Sequence, residues 1–143
     1  MSKTIRVFVD SDVVISVIIS QTGAAGLLIN DDRVDKRISD YSLEELDSVV
    51  KRLKLNQALL ERILTKTIAV DLDMSKLKIQ RRFTSFVNDK NDAHVIAGAI
   101  VAKAKFLLTY NQKHYNTDQI KNELGITVLT PALFLQYLRS LER

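Results

Sequence analysis

Apolar residues fall along the chain in short bursts that switch between two periods. Ile5 to Val9 (IRVFV) is a β-branched run ended by an acid, the pattern of a buried parallel strand that delivers Asp10 to its C-terminal edge. Val13 to Ile19 is apolar and reads equally as helix or as continued strand, with Asp12 placed to cap it if helical. Gly23 to Ile29 (GAAGLLI) reads as a short helix after the QTG turn. Ser42 to Leu55 is the clearest helix: Leu43, Leu46, Val49, Val50 and Leu53 share one face, and Ser42 with Glu45 forms a capping box. A second helix runs from Asn56 through Leu59, Leu60, Ile63 and Leu64.

Ile68 to Leu72 is a strand candidate, and the basic stretch Lys76 to Phe86 fits a helix or an extended connection. Asn91 or Asp92 opens a helix whose Val95, Ile96, Ala99, Ile100 and Ala102 suit close packing on a sheet, and Phe106 to Thr109 (FLLT) is the next strand. Thr117 to Leu124 is a helix closed by Gly125, and Ile126 to Leu129 is the last strand. Thr130 then caps a terminal amphipathic helix with Pro131 at its first position, carrying Leu133, Phe134, Tyr137, Leu138 and Leu141. Strands alternating with helices predict an α/β chain: a three-layer α/β/α fold with a mainly parallel central sheet.

Composition narrows this picture. With 143 residues, the chain is of a size for one hydrophobic core, so residues 1–143 are expected to form a single domain. No cysteine, four glycines and one proline exclude disulfide-stapled and collagenous classes. Asp10 and Asp12 interrupt the apolar N-terminal stretch, which argues against a signal peptide, and no run is long enough to span a bilayer. A cytoplasmic protein without membrane association is expected. Twenty-one Lys and Arg against seventeen Asp and Glu leave a net charge of +4, which suits a polyanionic partner.

The chemistry is expected where strands end, because open parallel sheets bind ligands outside the carboxyl ends of their strands. Asp10, Asp12, Thr109 and Asn111 follow strands. Glu45 and Asp92, with Asp89 three residues earlier, stand near helix starts. Each has a purely structural reading as well: Glu45 as the capping-box partner of Ser42, and Asp12, Asp89 and Asp92 as cap or first-turn acids. Asp10 has no local structural need. Hard carboxylate oxygens, with only two histidines, match Mg²⁺ or Mn²⁺ rather than zinc, and such ions serve phosphodiester hydrolysis. Gly23, Gly26, Gly98 and Gly125 form no phosphate-binding loop, which excludes P-loop nucleotide hydrolysis.

The order VFVDSDVVIS, ISDYSLEELDSVV and NDKNDAHVIAGAIVAKAKFLLTYNQKHY resembles PIN-domain ribonucleases, of the kind found as toxins in VapBC-type toxin–antitoxin pairs, over nearly the whole chain. The resemblance implies a metal-dependent endoribonuclease in which Asp10, Glu45 and Asp92 carry the ion, Mg²⁺ or Mn²⁺. Thr109 and Asn111 would form the site edge. It also implies an RNA substrate, an antitoxin partner and a homodimer. Many members have Thr-Gly-Asp where this chain has Thr109, Tyr110 and Asn111, and an asparagine where it has Asp12. Either Asp12 supplies the charge that Asn111 lacks, or it is a helix cap. Lys113, His114, Arg81 and Arg82 are candidates for RNA contacts; His94 reads as structural. Two rival readings stand beside this one. DSDVV also fits a haloacid-dehalogenase-like phosphatase with Asp10 as nucleophile, although there FLLT should precede the acidic pair. Asn111 also fits a PIN-like scaffold with a weakened metal site that binds RNA or protein.

Overall fold

The structure, a computed structural model, describes residues 4–142. Five strands, β1 (Ile5–Val9), β2 (Val34–Ser39), β3 (Ile68–Val70), β4 (Phe106–Leu108) and β5 (Thr127–Leu129), form one sheet in the order β3-β2-β1-β4-β5. Every pairing of these strands is parallel. The helices are α1 (Ser11–Ile19), α2 (Ala24–Ile29), α3 (Asp40–Arg52), α4 (Gln57–Leu64), α5 (Lys76–Phe83), α6 (Ala93–Val101), α7 (Thr117–Leu124) and α8 (Pro131–Ser140).

Alternation along β1 sorts them into layers. Val7 and Val9 pack with α1, α2, α3, α4 and α8. Phe8 points the other way, into a core built with α5, α6 and α7. The fold is therefore the expected three-layer α/β/α arrangement. The small residues of α6 allow its close approach: a Cβ on Gly98 would stand 2.4 Å from the Phe8 ring. Among the described residues no helix is long and apolar enough to cross a membrane.

Several boundaries differ from the pattern-based expectation, for identifiable reasons. Val13 to Ile19 is helical, and its cap is Asp10, whose Oδ1 accepts from Ser11 N at 2.8 Å; Asp12 lies in the first turn and does not cap it. Helix α3 begins at Asp40, capped by Ser39, which accepts from Ser42 N at 3.1 Å. The Ser42–Glu45 capping box therefore does not form, and Glu45 is left free to point elsewhere. Strand β2 gave no sequence signal because Asp35, Lys36 and Arg37 fill its centre. Its charges are neutralised locally: Asp35 pairs with Arg6 at 3.0 Å and Arg37 at 2.8 Å. Lys36, only 6% exposed, donates to the carbonyls of Ile29 and Asp31 at 2.9 and 3.0 Å. Lys76 to Phe86 resolves into α5 and a 3₁₀ turn over Thr84–Phe86.

Candidate functional site

Neighbouring strands β1 and β4 pair Val9 with Leu108, so the residues that follow them, Asp10 and Thr109, emerge side by side at the C-terminal edge. Asp10 is 8% exposed. Its Oδ2 accepts from Thr109 Oγ1 at 3.0 Å and from the buried Tyr115 hydroxyl at 2.7 Å. Asp12 comes within reach of the same threonine, whose Oγ1 lies 3.2 Å from Asp12 Oδ2. A hydroxyl has one proton, so Thr109 can donate to only one of the two carboxylates at a time. Asp12 Oδ2 also accepts from Tyr110 N and Asn111 Nδ2, both at 3.0 Å. Its other oxygen, Oδ1, is buried without a hydrogen-bond partner.

Two further acids reach this edge from helices. Glu45, on α3, accepts from the Ser11 hydroxyl, and its Oε2 lies 3.7 Å from His94 Nε2. His94 in turn stacks on Tyr41, with ring centroids 6.0 Å apart. Asp92 ends a 3₁₀ turn, Lys90–Asp92, just before α6, and its side chain makes no cap hydrogen bond. The 3₁₀ turn itself is capped by Asp89, which accepts from Asn91 N at 2.9 Å. Asp92 Oδ2 instead lies 3.5 Å from His114 Nδ1.

The electrostatics mark Asp10 as the centre of the group. Burial raises its pKa, and the Glu45 charge adds to the rise against the hydrogen bonds from Tyr115, Thr109 and Ser11. Asp12 is pushed up to about 7, first by burial and then by the Asp10 charge. Asp92 is raised by burial and then by Asp10. Glu45 moves the other way, lowered chiefly by its contact with His94. Tyr115 is raised by burial among Asp10, Asp92 and Asp12, so it stays a neutral donor. Like charges crowd here with little to neutralise them, a state that a bound cation would relieve.

The sequence-predicted residues divide into two groups. Asp10, Asp12, Glu45, Asp92, Thr109 and Asn111 share this edge. Lys113 and His114 sit beside it in a 3₁₀ turn, Gln112–His114, both exposed. Arg81 and Arg82 are exposed on α5, where Arg82 lies 5.5 Å from the Phe83 ring centroid. No hydrogen bond or ion pair ties either arginine to the acids among the described residues. Sequence reasoning missed Ser11, His94 and Tyr115. His94 does lie on a different helix face from Asp92, but that face meets Glu45. Tyr115 reaches Asp10 across 105 positions, a contact with no local signal.

Hard carboxylate oxygens, an orphaned Asp12 Oδ1 and raised acid pKa values fit a divalent cation of the Mg²⁺ or Mn²⁺ type. Among the described residues, however, no three carboxylate or imidazole groups are close enough to hold a metal as their side chains stand. The donor set fits in kind; it is not drawn together into a coordination shell.

The model of the PIN domain family matches residues 6–113, and the chain belongs to that family. The match takes the DSDVV motif out of the phosphatase reading. No curated protein sequence matches the chain. Among solved structures, it is similar to VapBC2 from Rickettsia felis, crystallised with a DNA fragment from the promoter, at 17% identity and a TM-score of 0.59. It is similar also to a toxin–antitoxin complex from Klebsiella pneumoniae, at 17% identity and a TM-score of 0.62. Each likeness covers 87% of this chain and 97% of the other, and establishes a shared fold.

Proposed function

We propose that the protein is a metal-dependent endoribonuclease acting as a VapC-like toxin, with Asp10, Glu45 and Asp92 holding Mg²⁺ or Mn²⁺. The observation that carries this reading is the gathering of acids around Asp10 in a chain of net charge +4. Asp12 adds a fourth carboxylate: it does not cap α1, and one of its oxygens is unpartnered. The Asp12–Asn111 hydrogen bond supports the idea that Asp12 supplies the charge that position 111 lacks.

When bound, the ion neutralises the carboxylates, polarises a water for in-line attack on phosphorus and stabilises the leaving oxygen. The chain's own residues prepare for this. Thr109 and Tyr115 hold Asp10 in one orientation, and Ser11 fixes its other oxygen. Glu45 and Asp92 would complete the ion's carboxylate set, with His94 and His114 beside them at 3.7 and 3.5 Å. Lys113, His114, Arg81 and Arg82 contact the phosphate backbone, an attraction that weakens with salt. The products carry a 5′-phosphate and a 3′-hydroxyl.

The toxin–antitoxin complexes among the structural neighbours support an antitoxin partner. Exposed Ile19, Leu27, Leu133 and Leu141 suit a homodimer or that partner. We place the protein in the cytoplasm, acting as one domain over residues 1–143. A second reading, a PIN scaffold with a weakened metal site, is favoured by Asn111 and by the dispersed donor set.

Purified protein incubated with varied RNAs and Mg²⁺ or Mn²⁺ separates the two. Cleavage that disappears with EDTA and falls about 10³-fold in Asp10→Ala, the loss of several kcal/mol of charge stabilisation, supports the nuclease. RNA binding without cleavage supports the scaffold. Cleavage indifferent to both controls overturns the mechanism.

A further inference from the structure

Tyr110 adjoins the acids, yet nothing in the chemistry above uses its ring. Three hydrogen bonds hold the backbone around it: Tyr110 N to Asp12 Oδ2 at 3.0 Å, Asn111 Nδ2 to the same oxygen at 3.0 Å, and Asn111 N to Thr109 Oγ1 at 3.1 Å. The residue is 42% exposed. Its hydroxyl stands 3.5 Å from Ser16 Oγ, too long for a strong hydrogen bond. Since Asp12 and Ser16 are four positions apart on α1, the ring lies along the helix flank about one turn from the acids. An aromatic ring fixed at its backbone and left open to solvent contributes little to the core. It does offer a flat surface already in position, so little conformational entropy is lost when a planar group lands on it.

We infer that Tyr110 is a stacking platform for a nucleobase of the RNA strand and positions the nucleotide beside the one cut at Asp10. The inference rests on the nuclease reading. A base suits this surface better than an apolar protein segment does, because the residues around Tyr110 are polar: Asp12 accepts from its backbone N, Asn111 bonds the same Asp12 oxygen, Ser16 Oγ stands 3.5 Å from its hydroxyl, and exposed Lys113 and His114 follow within four residues. Such a strand brings a π-face for the ring and phosphates for the cations. Stacking of this kind tolerates any base, so Tyr110 adds affinity and register rather than sequence choice.

The test uses the full chain carrying Asp10→Asn, to prevent cleavage, and a short fluorescein-labelled single-stranded RNA of mixed sequence followed by anisotropy. Adding Tyr110→Ala should weaken binding about tenfold, as loss of one base–aromatic stack does. Tyr110→Phe should bind within about twofold of the parent, and Tyr110→Leu should behave like alanine. An RNA in which one nucleotide is abasic, scanned along the strand, should reproduce the loss at one position and show no further loss with Tyr110→Ala. Equal binding by the alanine variant and the parent overturns the platform while leaving the nuclease intact. Leucine matching phenylalanine also overturns it, and points to an apolar contact with a protein partner. If the parent binds no RNA and the wild-type chain cleaves none, the nuclease reading itself fails and the platform with it.

Discussion

The two halves of the acid edge are built differently. On the sheet side, Asp10 and Asp12 are set by hydrogen bonds from Ser11, Thr109, Tyr110, Asn111 and Tyr115, at 2.7 to 3.2 Å. On the helix side, Glu45 accepts one hydrogen bond, from the Ser11 hydroxyl, and the Asp92 side chain accepts none among the described residues; both meet imidazoles only at 3.7 and 3.5 Å, beyond good hydrogen-bond length. The sheet half is rigid and carries two acids of raised pKa. The helix half is held by fewer hydrogen bonds. In the proposed function, this division would leave one side of the cation site fixed and the other to be completed by Glu45 and Asp92, which do not stand in a coordination shell here.

Changes in the rigid half should cost stability, and changes in the helix half should cost only ion binding. The largest structural effect is expected from Thr109→Val, which removes the hydroxyl that two buried carboxylates share and the acceptor of Asn111 N. A loss of about 2–3 kcal/mol, or roughly 4–10 °C in Tm, should appear in thermal unfolding. Next comes the exchange of Asp12 and Asn111. Asp12→Asn should weaken Mn²⁺ binding about tenfold, and Asp12→Asn with Asn111→Asp should restore it, because the pair keeps its hydrogen bond and its single charge. Two variants with equal affinities would return Asp12 to a structural role.

A pH dependence follows from the same half. Asp12 titrates near 7 in the folded chain against an ordinary value of 3.8, so between those limits the folded state holds more protons than the unfolded one. As far as this group is concerned, stability of the metal-free chain should therefore be greatest below about pH 4 and fall as pH rises to 7. Saturating Mg²⁺ should flatten that fall. Differential scanning calorimetry across this range, with and without Mg²⁺, reads both. The smallest structural effect belongs to the helix half: Glu45→Gln or Asp92→Asn should move the metal-free stability by no more than about 0.5 kcal/mol, yet weaken Mn²⁺ binding about tenfold.

Much of this site was legible in the sequence because parallel α/β order places strand-end residues together. Asp10, Thr109 and the terminal helix with its Thr130–Pro131 start follow from local pattern alone, and Thr130 does accept from Leu133 N, at 3.2 Å. Strand β2 was hidden by three successive charged residues, Asp35, Lys36 and Arg37, whose pairing with one another, with Arg6 and with the carbonyls of Ile29 and Asp31 is made only in the folded sheet. The cap of α3 was misplaced because Ser39 and Ser42 are both good caps, and only the end of β2 decides between them. His94 and Tyr115 escaped for a different reason: their importance lies in tertiary contacts with Glu45 and Asp10, and nothing in their flanking residues encodes a distance of tens of positions.

In the proposed function these acids wait for a divalent cation. Titration of Mn²⁺ into the metal-free chain at pH 6, below the value to which Asp12 is raised, without RNA and in two buffers of different ionisation enthalpy, reads this most directly. Saturable binding with net proton release is expected, since Asp12 must ionise to take the ion, and that binding should be lost in Asp10→Asn. No binding, or binding with no proton released and unchanged in Asp10→Asn, would contradict it.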